Sequence, residues 1–276
     1  MKKSIKSPLV SVIIPTKNNT RTIEKCLQSI KNQTYKNIEI IVVDNHSSDG
    51  TLEIAKKFTN KVFTEGPERN IQRRYAVNKA AGNYLFFVDS DMYLSPKVVV
   101  ECLNQVYKKH VAGVYIPEES IGTGFWTNCK RLERSFYIDI PWMNAARFFS
   151  KHVYTQAGGY DKSLVSGEDW DLSQKIEKIG RVSHTSSMIL HDEGKISLIK
   201  TIQKKLYYAK KFPAYLKQNK YTNHTAKQTS ILARYWIFFR NPQKLFRNPV
   251  LGLGMLFMKT CEFIFGAIGF IYANYD

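Results

Sequence analysis

Two carboxylates, Asp89 and Asp91, follow the apolar run of residues 85–88 directly. Such a run buries its side chains in a sheet, so the chain emerges at the sheet edge and presents both carboxylates there. Hard oxygen ligands in this place suit Mg²⁺ or Mn²⁺. If the ligand of the site contains a diphosphate leaving group, such an ion would act on it as a Lewis acid. A solvated turn that caps the next helix is the alternative for an isolated Asp-x-Asp, but the position after a buried strand favours the metal site.

Polar segments also follow two earlier apolar runs. Residues 15–19 (Pro-Thr-Lys-Asn-Asn) follow the first run, and residues 44–50 (Asp-Asn-His-Ser-Ser-Asp-Gly) follow the second. Ligands of open α/β sheets bind beyond the carboxyl ends of the strands, so we expect a ligand at these segments. No G-x-G-x-x-G follows the first run and no G-x-x-x-x-G-K-[ST] occurs in the sequence, which disfavours a dinucleotide fold and a P-loop.

A third acidic group, Glu168-Asp169, follows a glycine and opens a predicted helix with apolar positions at Leu172, Ile176 and Ile179. Carboxylates in a first helical turn are stabilised as anions by the free N–H groups and the helix dipole. That stabilisation is the ordinary explanation for acidic residues at this place. The alternative is a catalytic role.

The elements that must position these residues alternate between strand and helix. Apolar, β-branched runs at 9–14 and 38–43 predict buried strands. Between them, Ile23, Cys26, Leu27 and Ile30 recur at helical spacing and predict a helix over residues 20–33. The alternation continues with a helix at 48–58, a strand at 61–63, a helix at 68–81 and a strand at 84–88. This order predicts an α/β fold with a mostly parallel sheet, right-handed crossovers and flanking helices.

Four segments, in their order and spacing, resemble the family-2 glycosyltransferases, which have the GT-A fold. The segments are Val10 to Asn18, Ile41 to Thr51, Phe87 to Asp91 and Gly167 to Leu172. The resemblance implies a Rossmann-like GT-A catalytic domain over residues 1–194. It also implies Mn²⁺ or Mg²⁺, a UDP- or GDP-sugar donor, and transfer with inversion to a hydroxyl acceptor.

The resemblance also implies roles at the donor site. Asp44 would contact the base or ribose of the nucleotide, Asp89 the ribose side of the donor, and Asp91 the metal. Lys17 stands where relatives often have an aromatic residue, and Arg74 stands where they often have Asn. Either Arg73 or Arg74 could face the diphosphate in a bidentate way, with a solvated helix face as the alternative for Arg74. The expected donor-binding residues are Pro15, Thr16, Asn18, Asp44, Arg73, Asp89, Ser90 and Asp91.

On the acceptor side, the Glu168-Asp169 pair of related enzymes meets the acceptor, and its Asp takes the proton from the attacking hydroxyl. Asp169 is therefore the expected general base. Asp171 turns to another side of the helix and is expected to serve structure. Many resembling enzymes have a His at the position of His191 as a further metal ligand beside Asp91, while a structural role is the alternative for a lone His.

Composition bounds the fold and the compartment. The 276 residues include 43% hydrophobic and 13% aromatic residues, enough for a real core. The four cysteines, Cys26, Cys102, Cys129 and Cys261, have no paired metal spacing and suit a reducing compartment as small buried hydrophobes. The apolar run near the N-terminus stops at Pro15 and is too short for a signal sequence. We therefore expect a cytoplasmic protein.

The net charge of +18 is unevenly placed. Between Gly194 and Cys261 the sequence holds 14 Lys or Arg residues and no Asp or Glu, whereas the remainder is nearly balanced. From residue 196, basic and apolar residues interleave, which is typical of a helix in a membrane interface. Residues 249–275 are largely apolar but are interrupted by Lys259 and Glu262, which favours an in-plane or re-entrant helical hairpin over a crossing helix. We predict a helical region at 195–276 on the inner face of the membrane. The alternative is packing on the catalytic domain or a second subunit.

Three functions remain open on these observations. Glycosyl transfer to a glycan or a lipid-linked glycan is the first. The second is a sugar-1-phosphate nucleotidyltransferase, although the segment at 15–19 lacks its Gly-rich basic loop. The third is a non-catalytic module that binds a nucleotide sugar or nucleic acid; the placed carboxylates would repel a phosphate backbone, so we expect no nucleic acid. The sugar, the base, the acceptor and a homo-oligomeric state are undetermined by the sequence.

Overall fold

A computed structural model describes residues 7–219 and 222–273. The basic residues 1–6, Lys220 in the basic region, Tyr221 and the last three residues lie outside the described part. The chain divides into two compact units. The first contains Met1–Pro117, Ala146–Tyr160 and Lys175–Ile189, and the second contains Glu118–Ala145, Asp161–Gln174 and Leu190–Asp276. The boundary expected between residues 194 and 195 stays a prediction, because the second unit joins the C-terminal region to two earlier segments.

Strands and helices alternate along the first part of the chain, and their ends lie within three residues of the predicted ones. Up to residue 117 the elements are β1 (Val10–Thr16), α1 (Ile23–Lys31), β2 (Ile38–Asp44), α2 (Thr51–Lys56), β3 (Val62–Thr64), α3 (Arg69–Lys79), β4 (Tyr84–Phe87), β5 (Met92–Leu94), α4 (Val98–Lys109) and β6 (Gly113–Tyr115). They are followed by β7 (Glu118–Gly122), α5 (Phe125–Ser135), a 3-10 turn (Pro141–Met143), β8 (Ala146–Ser150), α6 (Lys151–Gln156), α7 (Glu168–Ile179), β9 (Val182–His184), β10 (Ile189–Gly194), α8 (Leu198–Asn219), α9 (Asn223–Thr229), α10 (Ile231–Phe239), α11 (Pro242–Phe246) and α12 (Pro249–Tyr272).

A seven-stranded sheet forms the centre of the first unit, in the order β3-β2-β1-β4-β8-β6-β9. Strand β1 is parallel to both β2 and β4, and β2 is parallel to β3. Strand β8 is antiparallel to its neighbours β4 and β6. The mostly parallel sheet flanked by helices is therefore confirmed, with one antiparallel strand that local sequence patterns did not indicate.

The core of the first unit lies where the apolar runs predict. Val10, Val12 and Ile14 of β1 are fully buried, and the predicted stripe of α1 (Ile23, Cys26, Leu27 and Ile30) packs in the same cluster. Each side chain of this kind stabilises the fold by about 1.5–3 kcal/mol when fully buried. All four cysteines are free thiols, and all but Cys261 are buried, as predicted.

The second unit contains the helices that follow residue 194. A cluster of Cys129, Phe136, Phe238, Met255 and Met258 forms its core, where α5, α10 and α12 pack together. Helix α12 also packs along α8. The region is therefore helical, as predicted.

The prediction of a helical hairpin at 249–275 is wrong over the described residues 249–273, because residues 249–272 form one continuous helix; residues 274 and 275 lie outside the described part. Its glycines are positions of close approach rather than turns. A Cβ on Gly252 would lie 2.4 Å from the Leu245 carbonyl oxygen, and one on Gly269 would lie 2.6 Å from the Leu206 carbonyl oxygen. Within the described part of the chain, α12 is the one helix whose length and apolar composition would allow it to cross a membrane.

Candidate active site

Three polar loops of the first unit begin at the same edge of its sheet. They follow β1, β2 and β4, and the register places Thr16 opposite Asp44. The Asn45 N–H donates to the Thr16 carbonyl (2.9 Å), and the buried Gln72 amide of α3 donates to the carbonyls of Thr16 (2.9 Å) and Val43 (2.7 Å). These bonds hold the ends of β1 and β2 beside α3.

Asn18 and Asn19 join the loop after β1 to the other two loops. Asn18 adopts a left-handed backbone (φ 46°), accepts from the Ser48 N–H (2.9 Å) and donates its own N–H to the Ser47 hydroxyl (2.7 Å). The Asn19 side chain donates to the Ser90 hydroxyl (2.6 Å). The predicted donor residue Asn18 therefore contacts the loop after β2, and its neighbour Asn19 contacts the predicted donor residue Ser90.

Asp44 is fully buried at the end of β2. One of its carboxylate oxygens accepts from the Ser47 N–H (2.7 Å) and the other from the Ser47 hydroxyl. In this structure Asp44 orders the loop that follows it, and its contact with a nucleotide stays a prediction. The Thr16 hydroxyl is buried beside this loop and has no hydrogen-bond partner within residues 7–219 and 222–273. A ligand at this edge would satisfy it.

Asp89 is held by two arginines. The Arg73 guanidinium lies 2.7 Å from Oδ1 and that of Arg147 lies 3.7 Å from Oδ2. Burial opposes ionisation of Asp89, but the charges of Arg73, Arg147 and Arg69 outweigh it and hold the pKa of this carboxyl well below its usual range. Asp89 is therefore a fixed anion at the end of β4.

Arg73 and Arg74 differ in what their guanidiniums contact. Arg73 is 0% exposed and also lies over the Tyr160 ring (5.2 Å to the centroid), so its contact in this structure is with Asp89. The Arg74 guanidinium donates to the Tyr160 carbonyl. Arg74 is therefore not on a solvated helix face, which was the alternative considered for it from the sequence. A diphosphate contact of either arginine stays a prediction.

Arg147 is a site residue that sequence reasoning did not single out. It stands in β8 between Ala146 and Phe148, both of which are buried. A buried arginine needs a partner of opposite charge, so an arginine within an apolar strand was the sequence signal that could have identified this site residue. Its partner, Asp89, is 58 residues earlier in the sequence and became evident only from the pairing of β8 with β4.

Asp91 is half-buried two residues after Asp89. No group of three His, Cys, Asp or Glu side chains that could hold a metal occurs among the described residues. Mg²⁺ and Mn²⁺ sites of nucleotide enzymes usually have one or two protein carboxylates, and the substrate phosphates and water complete the coordination. Asp89 is already paired with two arginines, so Asp91 is the carboxylate of this loop that would hold the ion. A single protein carboxylate, completed by phosphate oxygens and water, fits such a site.

The carboxylates of α7 lie in the second unit, at the start of the helix. Gly167 precedes them with a left-handed backbone (φ 82°), and a Cβ there would lie 2.7 Å from the Tyr215 ring of α8. Glu168 is buried and Asp169 is half-buried. Asp171 is buried and accepts from the Asn219 side chain of α8 (3.0 Å), which is a structural contact. Helix α8 thereby supports the first turn of α7.

His191 lies on β10 in the second unit. Its Nδ1 is 3.8 Å from one carboxylate oxygen each of Glu118 and Glu193. Arg134 also pairs with both carboxylates, at 3.1 Å from Glu193. The structure places His191 among charged groups, and its role as a metal ligand beside Asp91 stays a prediction.

The Asp89 pair has an expected stability signature. Asp89→Asn leaves the buried Arg73 without its counter-charge and should lower the free energy of unfolding by about 3 kcal/mol at pH 7. Because the folded-state pKa of Asp89 is depressed, this contribution is fully present above the unfolded pKa of about 3.9, begins to decrease below that value and is lost as the pH falls through the folded-state pKa. Urea unfolding of the wild type and of Asp89→Asn at pH 7 and pH 3 measures how the loss of unfolding free energy depends on pH. Glu53→Gln, at an exposed site on α2, is the control. An equal loss at both pH values would contradict the assignment.

Similar folds occur among solved structures of glycosyltransferases. The chain resembles the mannosyltransferase PcManGT from Pyrobaculum calidifontis, solved in complex with GDP-Man and Mn²⁺, with a TM-score of 0.60 over 96% of this chain and 87% of that one. The two sequences are 17% identical, so this likeness concerns the fold. It confirms the GT-A architecture.

Sequence comparison identifies the family. The chain is 28% identical over 223 residues to the hyaluronan synthase of Pasteurella multocida, a match that covers 73% of this chain and 22% of the relative. It is 36% identical over 94 residues, 30% of each chain, to the GalNAc(5)-diNAcBac-PP-undecaprenol beta-1,3-glucosyltransferase of Campylobacter jejuni. It thus spans less than a third of these relatives' lengths. Residues 11–160 match the family model described as glycosyl transferase family 2. Since this match covers more than half of the sequence, the chain belongs to glycosyl transferase family 2.

Proposed function

We propose that this protein transfers a sugar from a nucleoside diphosphate sugar to a hydroxyl acceptor with inversion at the anomeric carbon. The observation that supports the proposal is the hydrogen-bonded edge of the first unit, where the loops after β1, β2 and β4 carry Asn18, Asp44 and the segment Asp89-Ser90-Asp91 and are joined to one another. The inverting stereochemistry follows from the family resemblance.

The donor-side residues have different roles in binding. Asp91 would hold Mn²⁺ or Mg²⁺, which when bound neutralises the developing charge of the departing diphosphate. Asp89 is fixed by Arg73 and Arg147 and orients the ribose side of the donor. The buried Thr16 hydroxyl and the loop ordered by Asp44 face the nucleoside. Because the loops after β1, β2 and β4 are already hydrogen-bonded to one another, little ordering of these loops accompanies donor binding.

Asp169 takes the proton from the attacking hydroxyl in this proposal. Of the three carboxylates in the first turn of α7, Glu168 and Asp171 are buried, and Asp171 also binds Asn219. Asp169 is the most exposed of the three and is best placed to meet an acceptor. Glu168 would help to position the acceptor side of the site.

Family membership favours this function over the two alternatives. A sugar-1-phosphate nucleotidyltransferase and a non-catalytic binding module each leave the match of residues 11–160 unexplained. The same match supports a nucleotide-sugar donor, while the sugar and the base stay open.

We also propose that the region of residues 195–276 holds the enzyme on the cytoplasmic leaflet of a membrane, within reach of a lipid-linked acceptor. This region carries 14 Lys or Arg residues and two acidic residues. Each basic residue near an anionic surface contributes about 1 kcal/mol of attraction. The Campylobacter jejuni relative, named for an undecaprenol-linked glycan, supports this class of acceptor.

Donor binding gives a direct test. We expect one UDP- or GDP-sugar from a panel to raise the thermal midpoint in the presence of Mn²⁺, because a ligand at 100 times its Kd stabilises the folded state by about 2.7 kcal/mol. The same sugar without Mn²⁺, and Mn²⁺ with the free sugar, are the controls. If no nucleotide sugar of the panel shifts the midpoint, the proposed donor class is wrong.

A further inference from the structure

Helices α10 and α12 of the second unit carry large exposed apolar side chains. On α12 they recur every three, four or seven residues, which places them along one face of the helix. On α10 the spacing is three or four residues. This α10–α12 apolar face consists of Leu232, Trp236 and Phe239 on α10 and of Val250, Leu253, Phe257, Ile264 and Ile271 on α12, and all but Phe239 are more than half exposed.

Helices α10 and α12 meet beside these two stripes. The Tyr235 hydroxyl of α10 lies 2.6 Å from the Thr260 hydroxyl of α12. Thr260 is three residues after Phe257 and four before Ile264, so it belongs to the exposed stripe of α12. Large exposed apolar patches on a folded protein usually mark a site of interaction with a protein or a membrane.

The opposite face of α12 is attached to α5 by a closed ring of charges. Lys259 lies 2.6 Å from Glu133 and 2.8 Å from Glu262, and Lys130 lies 2.9 Å from Glu133 and 3.5 Å from Glu262. The Tyr137 hydroxyl also donates to Glu133 (2.6 Å). The two charges that interrupt the apolar sequence of α12 are therefore buried against α5, away from its exposed stripe.

This attachment determines how α12 can meet a bilayer. A crossing helix would carry Lys259 and Glu262 to the middle of the hydrocarbon together with α5, which also contains Arg131 and Arg134. Helix α8, with six lysines, packs so closely along α12 that a Cβ on Gly269 would lie 2.6 Å from the Leu206 carbonyl oxygen. Charged groups in the bilayer centre are costly, so α12 can enter a membrane only by its exposed side.

We infer that the α10–α12 apolar face lies in the interfacial layer of an anionic bilayer, with the axis of α12 parallel to the membrane plane. The inference rests on the membrane location proposed above. It adds the contact surface and assigns the in-plane orientation to one continuous helix instead of a hairpin. In-plane helices bury one apolar face at the boundary of headgroups and acyl chains and keep their charged face in water.

Charge favours a lipid surface over a second copy of the chain. Glu262 is the one acidic residue in the described segments after residue 194, and it is buried in the ion ring. The exposed charges that α10, α11 and α12 themselves place beside the apolar face, among them Arg240 and Arg247, are therefore positive. The exposed Asp139, whose charge acts on Lys244 of α11, is the acidic exception. Two copies meeting through this face would bring like charges together, whereas an anionic surface complements them.

Vesicle flotation of the full chain tests the surface. We expect it to float with phosphatidylcholine–phosphatidylglycerol vesicles at low salt and the variant Leu253→Ser/Phe257→Ser to bind roughly tenfold or more weakly, since both side chains leave the lipid. Tyr107→Ser, a similarly exposed aromatic residue on α4, is the matched control. Unchanged flotation of the double variant would overturn the assigned face. If the wild type stays in solution, the proposed membrane location itself is wrong. If the wild type is then a dimer and the double variant a monomer, the face is a contact between two copies of the chain.

Depth measurements test the orientation. Single cysteines at positions 253, 257, 264 and 271 in a Cys261→Ser background can carry a fluorophore quenched by lipids with spin labels at known depths. An in-plane helix gives equal, shallow depths at all four positions. A crossing helix separates positions 253 and 271 by about 27 Å along the bilayer normal, at 1.5 Å per residue, with the deepest label in the middle. That profile would overturn the in-plane inference while leaving membrane binding and donor binding intact. A label at Asn60→Cys, exposed in the first unit, should remain unquenched.

Discussion

Asp169→Asn is expected to lower kcat by about 10²–10⁴-fold, because the amide keeps the shape of the side chain and cannot accept the proton of the attacking hydroxyl. Donor affinity should be unchanged, since Asp169 acts on the acceptor in the proposed mechanism. Initial-rate kinetics with the donor identified by thermal shift measure kcat. The Mn²⁺-dependent shift with that donor measures binding.

The neighbouring Asp171→Asn is the matched control for this prediction. It changes a carboxylate in the same helical turn, and its remaining amide oxygen can still accept from Asn219. Turnover should stay close to that of the wild type, with a small loss of thermal midpoint. Full activity of Asp169→Asn would remove Asp169 from the mechanism. Equal losses in both variants would assign the effect to the fold of α7.

Asp91→Ala is expected to lower turnover by about 10³-fold or more, because several kcal/mol of charge stabilisation at the leaving diphosphate depends on the metal that Asp91 would hold. In contrast to Asp169→Asn, this variant should also lose the Mn²⁺-dependent stabilisation by the donor. Its thermal midpoint without ligand should remain nearly unchanged, since Asp91 is half-buried at the end of a short loop.

Glu24→Gln, which removes a carboxylate from the exposed side of α1, is the control for the loss of charge. Asp91→Asn separates charge from shape, because an amide oxygen is a weaker ligand for a hard cation. If Asp91→Ala retains both turnover and the Mn²⁺-dependent shift, then Asp91 is not the metal ligand. If only the midpoint without ligand falls, its role is structural.

Much of the arrangement of the candidate site could be predicted from the sequence. The buried runs of β1, β2 and β4 end at Thr16, Asp44 and Phe87, and residue type and period alone place polar groups directly after them. Parallel strands share the direction of their carboxyl ends, so these groups had to meet at one edge. The position of Glu168 and Asp169 at a helix start was equally local, because Gly167 precedes an apolar helical stripe.

Other features were decided by tertiary structure. The sequence by itself determined the alternation of strands and helices, the polar loops and the basic region, because these depend on side-chain type and short spacing. Only the tertiary structure placed β8 antiparallel beside β4, paired Arg147 with Asp89, and enclosed Lys259 and Glu262 with α5 to leave the other face of α12 apolar and exposed. These contacts join residues far apart in the chain. Strand pairing, burial of charge and close approach at glycine depend on which surfaces meet, and no local period encodes that.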